Sequence, residues 1–206
     1  YWDSLSVDCK NFVKKCNKCT CAKRGLSFHK EELKPLPLAP TIHHTLHIDT
    51  IDNLVPTAAG NSYILSCIDS FSRYIWLFPL PNIRSQTLAD TLLKVFAQTG
   101  LIEVIISDQG TVMVSELMSE LYKLLDIKHV TVSPYLHHGN AAVERSNRTV
   151  NDSLRAMLSL SNISQWDIVL PLIEMKMRSS STPELPYSAY YLCHAKDMRT
   201  FAHGAV

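Results

Sequence analysis

The hydrophobic period of the chain changes between residues 45 and 158, and that change restricts the possible folds more than any other feature. Apolar residues first come in three short runs, 45–51, 62–69 and 73–79, with only Ser70-Phe71-Ser72 between the last two. Runs of this length bounded by turn residues read as strands, and short connections make them an antiparallel meander. The period then lengthens. Leu88, Leu92, Val95 and Phe96 recur at helical spacing within 85–99, with Ser85 as N-cap and Gly100 beyond the end. A strand at 103–107 stops at Asp108, and a second helix over 115–125 carries Leu117, Leu121, Leu124 and Leu125. A fifth strand at 128–132 follows. Beyond the loop 133–140, Val143, Val150, Leu154, Met157 and Leu158 form the buried stripe of a third helix.

The resulting order, βββαβαβα, is that of the RNase H-like α/β fold: a five-stranded mixed sheet, three strands antiparallel and two added in parallel, flanked by helices. At 206 residues the chain accommodates one such domain and an appendage. Pro35, Pro37 and Pro40 favour an extended, semi-rigid connection. The expected division is therefore an arm at 1–34, a linker at 35–44 and a core at 45–200. The first residue is Tyr1 rather than Met, which reads as a piece of something longer.

Composition excludes several classes. No apolar run approaches the ~18 residues of a membrane span, and no secretory leader opens the chain. A formal net charge of +1 argues against coating nucleic acid by bulk electrostatics. The charge is uneven, however: residues 1–34 hold eight Lys and Arg against four Asp and Glu. Such an arm either meets a phosphate backbone or is a solvated surface. It also holds four of the six cysteines. Cys16-Asn17-Lys18-Cys19 has the spacing with which two thiolates grip one tetrahedral zinc, and is half of such a site; further ligands would lie upstream. Cys67, within an apolar run, reads as a small core residue.

Three acids stand out by position. Asp49 lies in the first strand, Asp108 at the tip of the fourth and Glu144 near the start of the third long helix, with thirty-five residues between the last two. Converging carboxylates repel one another unless divalent cations neutralise them, and magnesium suits an oxygen-only ligand set. Spacing alone is weak evidence in a chain with 19 acidic residues, most of which belong on solvated surfaces. Local sequence strengthens it. Ile105-Ile106-Ser107-Asp108-Gln109-Gly110-Thr111 places an acid where a buried strand meets a glycine turn, and Gly139-Asn140 gives the backbone freedom before Glu144.

The segments Ser107-Asp108-Gln109-Gly110-Thr111 and Val143-Glu144-Arg145-Ser146-Asn147-Arg148-Thr149 resemble the second and third blocks of the D,D-35-E integrases of retroviruses and gypsy-like retrotransposons. Further similarity runs through His47-Ile48-Asp49, residues 67–74 and Trp166-Asp167-Ile168-Val169-Leu170-Pro171, while residues 1–23 resemble the back half of the family's His-His-Cys-Cys zinc domain. The resemblance implies a transferase from a Pol polyprotein that trims and joins DNA ends by two-metal phosphoryl transfer. Asp49, Asp108 and Glu144 match the carboxylates that hold Mg2+ or Mn2+, and Cys16 and Cys19 match zinc cysteines. Tyr135, Asn140, Asn147 and Arg148 match positions near DNA, with Arg155 continuing the face of Arg148. For Arg148 the alternative is an i,i+4 ion pair with Glu144, and for Tyr135 a packed loop aromatic. Double-stranded DNA as partner, homo-oligomerisation and action in the nucleus after synthesis in the cytoplasm are implied on the same footing.

Some positions depart from the family pattern. The zinc histidines are absent, Met113 replaces an aromatic, Leu136-His137-His138-Gly139 replaces the common His-Pro-Gln-Ser/Thr, and residues 173–187 look shortened. Two other readings stay open: a ribonuclease H-like nuclease, disfavoured because its first helix would carry Glu and 85–99 offers only Asp90, and a domesticated or decayed domain that contacts nucleic acid without catalysis.

Overall fold

The computed structural model describes residues 4, 7, 8, 11, 39–52, 54–132, 141–158, 163–181 and 185–200, except the side chains of 141–144, 157, 158 and 163. The chain divides into two compact units, Tyr1–Lys34 and Pro35–Val206. In the first, Ser4 starts a helical turn, its hydroxyl donating to Asp8 Oδ2 at 2.7 Å and its carbonyl accepting from Val7 N and Asp8 N. Cys16 and Cys19 lie outside the described residues.

The second unit is built on five strands: β1 (Thr45–Ile51), β2 (Tyr63–Asp69), β3 (Ile75–Leu80), β4 (Val104–Ser107) and β5 (Lys128–Thr131). Their order is β3-β2-β1-β4-β5. The pairs β1–β2 and β2–β3 are antiparallel, whereas β1–β4 and β4–β5 are parallel. This is the expected mixed sheet. Helices α1 (Ser85–Thr99), α2 (Glu116–Leu124), α3 (Ala141–Leu158), α4 (Trp166–Ser179) and α5 (Ala189–His194) flank it, a 3-10 turn at Ile163–Gln165 preceding α4. None of the described helices is long and apolar enough to cross a membrane.

Side chains alternate across a strand, so β1, β2 and β3 each feed two cores. On one face Leu46, Ile48, Leu65, Cys67 and Trp76 pack with Leu88, Leu92, Val95 and Phe96 of α1 and Met118 and Tyr122 of α2. Met113 is buried in the same core. On the other face Ile51, Ile64, Ile68, Ile75 and Leu77 pack with Val150 and Leu154 of α3 and Trp166, Leu170 and Ile173 of α4. Full burial of each large aliphatic side chain contributes about 1.5–3 kcal/mol. Asp49, two residues before Ile51, shares that second face and projects toward the α3 side.

Two local expectations need correction. Ser85 is the first helical residue rather than the N-cap; Arg84 occupies the cap without a side-chain bond, and Ser85 Oγ lies 2.8 Å from Ser115 Oγ, tying the starts of α1 and α2 together. In α2 the buried stripe is Met118 and Tyr122, while Leu117 and Leu124 are exposed. Apolar residues occupy six of the nine positions from 117 to 125, so their leucines alone do not fix the helix phase.

The β3 edge is covered by α4. Glu174 Oε1 accepts from Leu77 N at 2.6 Å, Arg178 Nε donates to Ile75 O at 2.7 Å, and the two side chains pair at 3.1 Å. Two backbone groups of β3 that face outward, Leu77 N and Ile75 O, are thereby satisfied, which blunts the edge. The start of α4 pins the β1–β2 connection: Trp166 Nε1 donates to Val55 O at 2.7 Å and Asn61 Nδ2 to Asp167 Oδ2 at 3.0 Å.

Candidate active site

Strands β1 and β4 run side by side in the same direction, with His47 opposite Ile106. Two residues further along each chain stand Asp49 and Asp108. The parallel register therefore brings them level at the C-terminal end of the sheet, one strand spacing of about 4.8 Å apart in backbone terms. No local feature of sequence encodes this. It follows from the order in which the sheet assembles.

Asp49 is held at both oxygens. Oδ1 accepts from Thr50 N at 2.8 Å and Oδ2 from Asn147 Nδ2 at 2.6 Å. Burial holds its carboxyl above the ordinary aspartate value; the Thr50 N–H pulls it back, and the negative charge of Asp108 pushes it up again. Asp108 is exposed, one residue beyond β4, and its Oδ1 accepts from Gly110 N at 3.1 Å. A Cβ at Gly110 would stand 3.0 Å from that oxygen, so this turn leaves the carboxylate room that any side chain would narrow.

Glu144 occupies the first turn of α3, three residues before Asn147 and hence on the same helical face. Its side chain lies outside the described residues, as do Tyr135 and Asn140. Asn147, expected near DNA, is 9% exposed with its amide on Asp49, so the structure gives it an inward-facing place. Arg148 is exposed, and exposed Arg155 pairs loosely with Asp152 at 3.7 Å.

The donor set fits a hard divalent cation: two carboxylates level on adjacent strands, one disfavoured as an anion by burial and by its neighbour. Asn147 Oδ1 and Ser66 Oγ, both buried, have no hydrogen-bond partner among the described residues, and Ser66 stands directly opposite Asp49 in the ladder. The polar floor beneath Asp49 thus has acceptor capacity in reserve. Among the described residues no three of His, Cys, Asp and Glu gather as a metal group; Glu144 would be the third.

The sequence marks Asn147 as a residue near DNA but not as a partner of Asp49, although its i+3 relation to Glu144 was a legible signal. A contact of Ser107 Oγ with His129 Nε2 at 2.8 Å behind Asp108 left no signal in the sequence, because it depends on β4 lying beside β5.

Residues 41–137 match the family described as Integrase core domain. The chain is 30% identical over 174 residues to the Retrovirus-related Pol polyprotein from transposon 412 of Drosophila melanogaster, covering 82% of this chain and 14% of that protein. It is 24% identical over 201 residues to the Pro-Pol polyprotein of Simian foamy virus type 3 (strain LK3), covering 97% of this chain and 17% of that one. The chain spans less than a fifth of either relative. Among solved structures it is similar to a chain of the simian T-cell lymphotropic virus intasome in complex with PP2A regulatory subunit B56 gamma, with TM-score 0.72 and 17% identity over 96% of this chain and 70% of that one. The trimeric form of the HTLV-2 integrase catalytic core domain in complex with magnesium gives TM-score 0.62 and 16% identity over 76% of this chain and 99% of that one. At these identities the likeness is one of fold.

Proposed function

Because this chain carries an integrase core domain of the kind encoded in retroviral and transposon Pol polyproteins, we propose that it is the catalytic core of a DNA-joining polynucleotidyl transferase whose divalent-ion ligands are Asp49, Asp108 and Glu144. The observation that supports this best is the parallel register that sets Asp49 level with Asp108, beneath the helix that carries Glu144. Asp49, Asp108 and Glu144 would hold magnesium or manganese, which would supply Lewis-acid charge at phosphorus and lower the pKa of the attacking water or 3′ hydroxyl. The magnesium in the HTLV-2 core supports that choice of ion.

The chain's own residues do the positioning. Thr50 N–H and Asn147 Nδ2 fix the two oxygens of Asp49, and Gly110 N–H orients Asp108. Water as nucleophile trims a DNA end, and a 3′ hydroxyl as nucleophile joins that end to target DNA; neither needs a nucleophile from the protein. Exposed Arg148 is open to a phosphate backbone, and Tyr135 and Asn140, just before α3 in sequence, would contact the same DNA. Handling two ends together calls for more than one copy, in keeping with the dimeric and trimeric forms of the HTLV-2 core. On the same proposal residues 1–34 are part of a zinc domain using Cys16 and Cys19, and the protein acts in the nucleus.

The test is strand joining by the parent protein containing this chain, with a labelled DNA duplex and magnesium, beside Asp49→Asn and Glu144→Gln. Joining by the parent and loss of product in both variants is expected. Equal product from all three would overturn the assignment.

A further inference from the structure

Asp108 stands one residue past the end of β4, beyond the ladder that fixes the strand. The last β4–β5 pair is Ser107 opposite Thr131, and Val132 N closes it by donating to Ser107 O at 2.9 Å. A side chain holds the Asp108 carbonyl instead. Ser107 Oγ, on a residue 1% exposed, donates to Asp108 O at 2.8 Å and lies 2.8 Å from His129 Nε2. A hydroxyl has one proton to give. With that proton on the carbonyl, the imidazole must be the donor in the second bond, which selects the tautomer protonated at Nε2.

His129 is itself held in place. It lies on β5 opposite Ile105, and the buried Tyr122 ring of α2 packs against it with centroids 4.7 Å apart and planes at 42°. A continuous path therefore runs from α2 through His129 and Ser107 to the peptide of the acid. On the far side of Asp108, Gly110 has no side chain with which to resist rotation of that peptide.

We propose that His129 is a positioning residue for Asp108, its Nε2–H acting through the Ser107 hydroxyl to fix the peptide that aims the Asp108 carboxylate toward Asp49. This rests on the reading of Asp108 as a metal ligand. Outer hydrogen-bond partners of ligating carboxylates typically govern about 10- to 100-fold in metal affinity. The relay is of that kind, with the difference that it grips the ligand's backbone.

The test is manganese binding to the chain, followed by loss of the free-ion paramagnetic resonance signal, in the parent and in Asp108→Asn, His129→Leu and His129→Gln. Asp108→Asn should abolish the tight site and His129→Leu should weaken it about 10- to 100-fold. His129→Gln, whose amide N–H reaches the same hydroxyl, should bind like the parent. Leu and Gln variants that both match the parent, or that both weaken equally, would overturn the relay while leaving Asp108 a ligand. Unaltered binding by Asp108→Asn would instead remove the reading of the acid, and the relay with it. If His129→Leu does not fold, as judged by its circular dichroism, Ser107→Ala against Ser107→Thr makes the same comparison.

Discussion

Asp49 is the residue on which burial, charge and hydrogen bonding act most directly against one another. Its raised pKa means that the folded chain keeps this proton at pH values where the unfolded chain has released it. Stability without metal therefore falls as pH rises from the ordinary aspartate value through the raised one. Asp49→Asn removes that loss. Without metal, it should melt higher than the parent at neutral pH, and the difference should vanish on acidification below the ordinary carboxylate range; melts across that range that differ by a constant amount would contradict this. Asn147 is the companion case. Asn147→Ala removes the 2.6 Å bond to Asp49 and should lower joining about 10- to 100-fold with DNA affinity retained, as measured by joining rate and by filter binding. A loss confined to DNA affinity would favour the DNA-facing role expected from sequence. The bond to Asp49 was not legible there for a physical reason: helical spacing sets Asn147 on the face of Glu144 but does not say that this face meets β1.

At the scale of elements, the strands and α1 were legible because each has one strong period, and their boundaries in the structure fall within two residues of expectation. The phase of α2 was not, since apolar residues at six of the nine positions from 117 to 125 allow more than one buried stripe. Nor did 166–179 announce a helix. Gln165 caps it without a side-chain bond, and Pro171 sits inside it. Its polar face has a tertiary function that no period reveals: Glu174 and Arg178 close the free edge of β3. Burial raises the Glu174 carboxyl above its usual value and the Arg178 charge lowers it again. Glu174→Leu leaves the Leu77 N–H and Arg178 without their acceptor, and should destabilise the fold by about 1–3 kcal/mol in urea denaturation. A change below about 0.5 kcal/mol would show that water serves the edge equally well.

For the molecule as a whole, the sheet order is what turns scattered residues into a site. Asp49 and Asp108 are separated by β2, β3 and α1 in sequence and meet only because β4 joins β1 in parallel. The three acids were picked out by resemblance to a family and by the Asp108-Gln109-Gly110 turn; spacing alone would have served many other Asp and Glu equally well. The groups behind them, Asn147, Ser107 and His129, are brought together by strand and helix adjacency, which no stretch of sequence spells out. Manganese-soaked crystals of the chain, read by anomalous scattering, bear on the whole arrangement at once. The expected result is an ion held by Asp49 and Asp108, with Glu144 turned toward it. Manganese bound only elsewhere, with Asp108 directed away from Asp49, would contradict it.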